Sequence, residues 1–366
     1  VSQEELHAYL TLQHIPNLGD TSIKRLVHRF ESPQNVLRQS KAILLNIEGI
    51  GEYKLKEFFN KEHALEAENE VEFIEANKIE YSCYQDANYP DRLKHCIDGP
   101  ILLFKRGKAA YNHPKILSIV GTRKVTTHAI DFIKKFIEDL ALLNPLIVSG
   151  FAYGVDIAAH RAALDHGLDT LAVVAHGLNQ IYPKVHVKYA QAVENQGAFV
   201  TDFWSSDNFD RTNFLRRNRI IAGISEATVV IESAEKGGSL VTADIAHSYN
   251  RDVFAVPGRP GDSQSLGCNN LIKTQKAQLI TSAADLIYLL NWQVDEVLKP
   301  VQKQLFVELT EEEKLIWKFL RDAGKEQLDL IALHCKMPTF KVASLLLNME
   351  LKGVVRPLPG KQFELT

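Results

Sequence analysis

The stretch TDFWSSDNFDRTNFLRRNRIIAGIS, residues 201–225, concentrates the chemistry of this chain. Arg211, Arg216, Arg217 and Arg219 fall within nine residues, Phe209 and Phe214 are interleaved, and the apolar run IIAGI follows directly. A solvated charge run would mix signs at i, i+4 spacing. Here arginine alone supplies the charge. A guanidinium grips phosphate through a fork of donors, and an aromatic ring stacks on a base whatever its identity. Arg211 and Phe214 are the first candidates for ligand contact, with Arg217, Asn218 and Arg219 behind them. Arg219 and Asn218 have a second use open to them, pairing with acids such as Asp202 or Asp210.

Three glycine-bearing turns complement this stretch. In SIVGTRKVTTHAI, Gly121 lets the backbone turn tightly, and Thr122 and Arg123 open a helix whose positive end attracts an anion. The second and third glycines of the dinucleotide fingerprint are missing. In VSGFAYGVDIAAHRAAL, Ser149 and Gly150 are candidate ligand contacts, and Asp156 reads as a helix-capping carboxylate. In ESAEKGGSLVTADIAHSY, Lys236, Gly237, Gly238 and Ser239 form a further anion cradle. Glu232 would repel phosphate there unless an arginine neutralised it. Arg259, in PGRPGDSQSLGCNNLI, faces either the groove or solvent.

The elements that hold these turns are legible. Between residues 116 and 292 the runs ILSIV, PLIVS, TLAVVA, GAFVTD, ATVVIES and DVFAVPG alternate with amphipathic stretches. Each run is short and apolar on both faces, as in a strand buried within a parallel sheet. The alternation predicts an α/β, Rossmann-like parallel sheet with helices on both faces. Ligands of such sheets sit outside the carboxyl ends of the strands, where the candidate residues converge. Residues 76–115 predict an edge strand and turns, so the central domain spans 76–295.

Two outer segments flank it. Residues 1–75 read as helical, with two similar layouts around Leu18-Gly19-Asp20 and Ile50-Gly51-Glu52 that resemble helix-hairpin-helix (SAM-like) units. Their glycines either aim amides at a phosphate or merely cap helices. Residues 305–366 give three helical patterns, a capping box at Thr310 and Glu313, and two short strands around Pro359-Gly360, a winged-helix arrangement.

Composition bounds the ligand. With 366 residues and a formal net charge of −3, a globally basic nucleic-acid binder is excluded, and any such site is a local patch. No apolar run approaches the roughly 20 residues of a membrane span, and VSQEELHAYL does not read as a signal peptide. Cys83, Cys96, Cys268 and Cys335 form no CxxC pair, which disfavours zinc and disulfides and suits a reducing cytoplasm. GxxxxGK[ST], GxSxG and HExxH are absent, and His160 and His176 read as structural. The expectation is binding without catalysis, metal or cofactor.

The series SIVGTRKVT, IVSGFAYGVDIAAHRAAL, GLNQIYPKVH, NFLRRNRIIAGIS, EKGGSLVTADIA and FAVPGRPGDSQSLGCNNLI resembles the DNA-processing protein A (DprA/Smf) family in order and spacing. The resemblance covers the α/β segment fully, and the outer segments are similar to accessory domains of many members. It implies a bacterial protein of natural transformation that binds and protects incoming single-stranded DNA, helps load the RecA recombinase and forms a homodimer. It places the phosphate and base pocket on Gly121, Thr122 and Arg123, on Arg211, Phe214 and the following helix start, and on Lys236 to Ser239. Val155 departs conservatively from the family's usual GxAxGID form. The competing reading is a LOG-type nucleoside-monophosphate phosphoribohydrolase. In GGSLVTAD, however, Leu240 and Val241 replace that family's Gly-Thr, Ala243 stands near its catalytic glutamate, and Asp244 is one carbon short. A transcriptional regulator is a third reading, weakened because TFKVASLLLNMELKG carries only Lys341 and Lys352.

Overall fold

The computed structural model describes residues 2–293, 309–358 and 362–365. The chain divides into two compact units, Val1–Val294 and Asp295–Thr366.

The first unit is built on nine strands: β1 (Glu80–Cys83), β2 (Leu102–Gly107), β3 (Ile116–Val120), β4 (Leu146–Ser149), β5 (Thr170–Val173), β6 (Ala198–Thr201), β7 (Ala227–Val230), β8 (Asp252–Ala255) and β9 (Gln278–Leu279). Their order is β1-β2-β6-β5-β4-β3-β7-β8-β9. From β6 to β9 all pairings are parallel. Every apolar run picked from the sequence is a strand. The parallel core is extended at one edge by β1 and β2, in the segment where an edge strand was expected, and these two run antiparallel. Only a one-turn helix, Asp91–Lys94, lies between them, too short for the crossover that a parallel pair requires.

Helices cover both faces of the sheet. On one face Leu117, Ile119, Ile147 and Val229 pack with Ile133, Phe136 and Ala159 from the Thr127–Leu140 and Val155–Asp165 helices. On the other, Val148, Val173 and Val230 pack with Ile220, Ile221 and Ile224 from the Arg211–Ile224 helix. The chain builds outward from β3 through β4 to β6, then returns to the other side of β3 as β7. The gap between β3 and β7 is therefore the topological switch point, where open α/β sheets bind ligands.

The N-terminal helices do not form a separately packed domain. Leu6, Tyr9, Leu10 and Ile74 share one core with Phe104, Phe151, Phe199 and Trp204. The Trp204 indole N–H donates to Gln13 Oε1 at 2.8 Å, and Ser205 N donates to Glu70 Oε1 at 2.9 Å. Gly19 does start a helix, Asp20–Phe30. The Asp20 carboxylate, however, is committed to the α/β body, accepting from Ile101 N at 3.0 Å. The second layout fails: residues 51–60 form turns and no helix.

The second unit packs the helices Glu311–Ala323, Leu328–Cys335 and Thr339–Leu351 around Ile316, Leu320, Ile331, Val342 and Leu346. Its three-stranded sheet orders β10 (Lys325–Gln327), β12 (Gln362–Leu365) and β11 (Val355–Leu358), all antiparallel. This is a winged helix, with β10 an addition to the expected elements. The capping box is present: Glu313 N donates to Thr310 Oγ1 at 3.3 Å, and Thr310 N to Glu313 Oε2 at 2.8 Å. Residues 359–361, including the expected Pro359-Gly360 turn, lie outside the described residues. Lys341 and Lys352 are held by Glu312 at 2.5 Å and Glu313 at 2.6 Å, so the last helix presents little net positive charge. Among the described residues no single helix is long and apolar enough to cross a membrane.

His160 is structural and carries a pH consequence. Thr170 Oγ1 donates to Ile147 O at 2.9 Å, so it accepts from His160 Nδ1–H at 2.7 Å. The buried Nε2 has no partner. Burial, with Arg217 adding to it, pushes the imidazole down to about 3. The unfolded chain thus binds the extra proton first. Stability is full above the unfolded value near 6.5 and falls as pH drops toward 3. At pH 5 the loss should be about 2 kcal/mol. In urea unfolding at pH 7 and pH 5, His160→Gln should remove that part of the decline. An unchanged decline would mean His160 takes no part in it.

Candidate nucleic-acid interface

A cleft of about 800 Å³ opens at the carboxyl ends of β3 and β7, the switch point itself. Its first wall is the turn Gly121–Lys124. A Cβ on Gly121 would lie 2.5 Å from Val155 Cγ2 and 2.9 Å from Glu232 O, so only glycine lets the chain leave β3 there. Thr122 N donates to Glu232 O at 2.7 Å, and Thr122 Oγ1 donates to Gln264 Oε1 at 3.1 Å. These bonds fix the turn and leave the Arg123 and Lys124 side chains exposed.

The second wall follows β7. Gly237 caps the Gly238–Ser248 helix with no side-chain bond to its first-turn amides, the donors a helix start leaves for an anion. Ser239 Oγ donates to Ser233 Oγ at 3.0 Å, and Asn218 Nδ2 reaches Gly238 O at 3.4 Å. Asn218 thus ties the arginine helix to the glycine turn. Glu232 turns its carboxylate away from the cleft, and no arginine pairs with it among the described residues. Its carboxylate accepts from Thr126 N at 2.9 Å and Thr126 Oγ1 at 2.8 Å, at the start of the Thr127–Leu140 helix, and does not line the cleft.

The third wall is the start of the Arg211–Ile224 helix, capped by Asp210, whose Oδ1 accepts from Thr212 N at 2.6 Å. Phe209, Phe214 and Tyr182 form an aromatic group here. Tyr182 and Phe209 ring centroids lie 4.5 Å apart, and Phe209 and Phe214 lie 5.5 Å apart. The Arg123 guanidinium stands 5.1 Å from the Phe214 ring. Tyr182 and Phe209 remain 38% and 45% exposed, so ring surface is open to a stacking partner.

Charge at the cleft is asymmetric. Arg123, Lys124, Arg211 and Lys236 line it, and among the described residues none of the four pairs with a carboxylate. Asp156 and Arg217 form the floor. Burial pushes the Asp156 carboxyl up, against the pull of Arg217, and lowers Arg217 to about 10, so the guanidinium stays charged at neutral pH. Arg217 Nη1 donates to Val173 O, and Asp156 accepts from Ala152 N at 3.3 Å. Asp156 therefore serves the structural role expected, while also touching the cleft.

Three expected contacts stand apart from the cleft lining. Ser149 is fully buried and donates to Ile119 O at 2.6 Å. Gly150 makes room for the floor: a Cβ there would lie 2.1 Å from Arg217 Nη1 and 2.5 Å from Asp156 Oδ2. Arg219 points to the opposite side of its helix, onto Asp202 and Asp20. Its second use is the one observed, although with Asp20 as an additional partner. Arg259 lies outside the cleft, in a neighbouring hollow with Thr126 and Asp262. The remaining candidates all line the cleft: Gly121, Thr122, Arg123, Arg211, Phe214, Arg217, Asn218, Lys236, Gly237, Gly238 and Ser239. Sequence reasoning gave no role to Tyr182, Lys124 or Gln264. The basic residue after Arg123 was a signal for Lys124; nothing local marked the other two.

A family model described as DNA recombination-mediator protein A matches residues 80–291, and one described as DprA winged helix domain matches residues 307–361. Protein Smf of Escherichia coli is 35% identical over 283 residues, covering 74% of each chain. The crystal structure of DNA processing protein A from Streptococcus pneumoniae matches with a TM-score of 0.66 at 29% identity, covering 79% of this chain and 98% of that one. DNA processing protein A from Helicobacter pylori, whose single-stranded DNA binding mode has been studied structurally, matches with a TM-score of 0.52 at 28% identity, covering 58% of this chain and 96% of that one. With more than half of its length matched in this way, the chain belongs to the DNA recombination-mediator protein A family.

Proposed function

We propose that the cleft binds single-stranded DNA, and that the chain acts in the bacterial cytoplasm as a homodimer that protects incoming DNA during transformation and helps load the RecA recombinase. The observation that carries the DNA reading is the juxtaposition of exposed Tyr182 and Phe209 rings with four cations lacking carboxylate partners among the described residues. Rings alone would suit many ligands, and cations alone any anion. Together, at intervals along one groove, they suit a polyanion with free bases. A duplex hides its bases from such rings. The dimer, the RecA contact and the compartment rest on kinship.

The reading is of a binding protein without catalysis. Asp244, the acid nearest the phosphoribohydrolase position, pairs with Lys276 at 2.9 Å and does not line the cleft. Asp156, the carboxylate at the floor, is buried and accepts from Ala152 N at 3.3 Å, within the field of the Arg217 charge. The test is fluorescence anisotropy with the full chain. A labelled oligothymidylate should bind at least tenfold more tightly than a duplex of equal length, and Phe214→Ala should weaken it roughly 5- to 100-fold, the range expected for removing one base stack. Equal affinity for duplex, or base release from nucleoside monophosphates, would overturn the proposal.

A further inference from the structure

We infer that the strand-binding surface continues past the cleft onto a second aromatic platform, formed by Tyr153 and Tyr189 on either side of the buried His186 ring, with the cations Arg161, Lys184 and Lys188, and that this platform takes additional nucleotides of the same single strand. The inference rests on the reading of the cleft as a single-stranded DNA site.

Two elements that build the cleft also build the platform. The turn after β4 carries Tyr153 and is seated on the first wall: Val155 N donates to Thr122 O at 3.2 Å, and a Cβ on Gly154 would lie 2.7 Å from Arg123 Cα. The segment after β5 carries Tyr182 in the cleft and, four residues on, His186. The Tyr153 and His186 rings meet edge-on at 5.2 Å, and His186 and Tyr189 lie 6.3 Å apart. His186 is anchored by its Nδ1 to Phe151 O at 3.1 Å, and the Phe151 ring is fully buried 5.0 Å from Phe199 of β6, so the platform is tied to the core.

Its surface has the composition of the cleft. Tyr153 is 46% exposed, and the neighbouring Val185 and Val187 are 55% and 53% exposed, a concentration of apolar surface that folding has left uncovered. Arg161 and Lys188 stand 5.4 and 5.1 Å from the Tyr189 ring. Arg161, Lys184 and Lys188 are exposed, and among the described residues none pairs with a carboxylate. A phosphate backbone leaving the cleft beside Arg123 would meet cations and ring faces in the same alternation.

Strand length separates the two surfaces. An oligothymidylate of ~4 nucleotides, the lower limit of known single-strand sites, should fill the cleft alone, and one of ~16 should reach the platform. In the full chain, Tyr153→Ala with Lys188→Glu should weaken the longer strand about tenfold or more and leave the shorter within about twofold. The salt slope for the longer strand should fall by ~0.7, the share of the one phosphate that Lys188 neutralises. Tyr153→Phe, which keeps the ring, should bind like the unsubstituted chain. If the longer strand binds the double variant normally while Phe214→Ala weakens both strands, the platform is refuted and the cleft stands. If Phe214→Ala changes neither, the cleft reading fails and takes the platform with it.

Discussion

Replacing Arg219 with alanine should cost the first unit about 3–5 kcal/mol of unfolding free energy, the usual effect of stripping one partner from a buried ionic group. The Arg219 side chain is 8% exposed, Asp202 is fully buried and Asp20 is 12% exposed. The guanidinium reaches Asp20 Oδ2 at 3.2 Å, Asp202 Oδ2 and the Asp98 carbonyl. It therefore joins the first N-terminal turn to the end of β6 and to the arginine helix. Asp202 Oδ1 has no hydrogen-bond partner, so this arginine supplies most of what the carboxylate receives. Without it, two carboxylates would face each other away from water.

The pH dependence of that loss has a definite sign. Burial already pushes the Asp20 carboxyl up, and Arg219 is the main force pulling it down. In the alanine variant the folded state would hold its proton more tightly than the unfolded chain does. The variant therefore regains stability as pH falls toward the carboxylate range and loses it as pH rises. Urea titrations at pH 7 and pH 5 should show a gap from the unsubstituted chain that narrows at the lower pH. Arg219→Lys should recover only part of the loss, because an ammonium cannot span three acceptors as a planar fork does. A loss below about 1 kcal/mol at pH 7 would show that the network is dispensable.

Arg219 also shows what the sequence could and could not reveal. Four arginines in nine residues mark a cationic element, but a helix turns successive residues to different sides. Arg211 opens into the cleft, Arg217 lies beneath it, and Arg219 lies behind, against Asp20, a residue 199 positions away. Local spacing holds no record of such a partner. The strands were legible because a strand buried on both faces reads as a continuous apolar run. The glycine turns were legible because each follows such a run, and the sheet brings the ends of those runs together. Tyr182 was not legible as a cleft residue. GLNQIYPKVH contributes to the family resemblance, but its residue types assign Tyr182 no contact, and the packing against Phe209 and Phe214 gives it a place. Likewise Ser149 and Gly150 had the types of a ligand turn, yet serve β3 and the Asp156–Arg217 floor.

Reversing two cleft charges together, Arg211→Glu with Lys236→Glu, should lower affinity for single-stranded DNA on the order of a thousandfold at low salt. The estimate follows from two charge-assisted phosphate contacts at about 2 kcal/mol each, with 1.4 kcal/mol per factor of ten. Arg211 begins the arginine helix and Lys236 precedes the glycine turn, so the pair brackets the cleft from two walls. Both side chains are exposed and unpaired with carboxylates among the described residues, so neither reversal breaks an internal ion pair. The thermal midpoint should stay within a few degrees. Each phosphate contact on a single strand contributes ~0.7 to the slope of log K against log salt, so the variant's slope should be shallower by about 1.4. The affinity gap should narrow as salt rises, since counterions screen exposed charges. Lys134→Glu with Lys273→Glu makes the same change in net charge outside the cleft lining. If that control weakens binding as much as the cleft pair does, the chain holds DNA through its overall field. If only the cleft pair does so, and with the shallower slope, the cations at the switch point are the phosphate contacts.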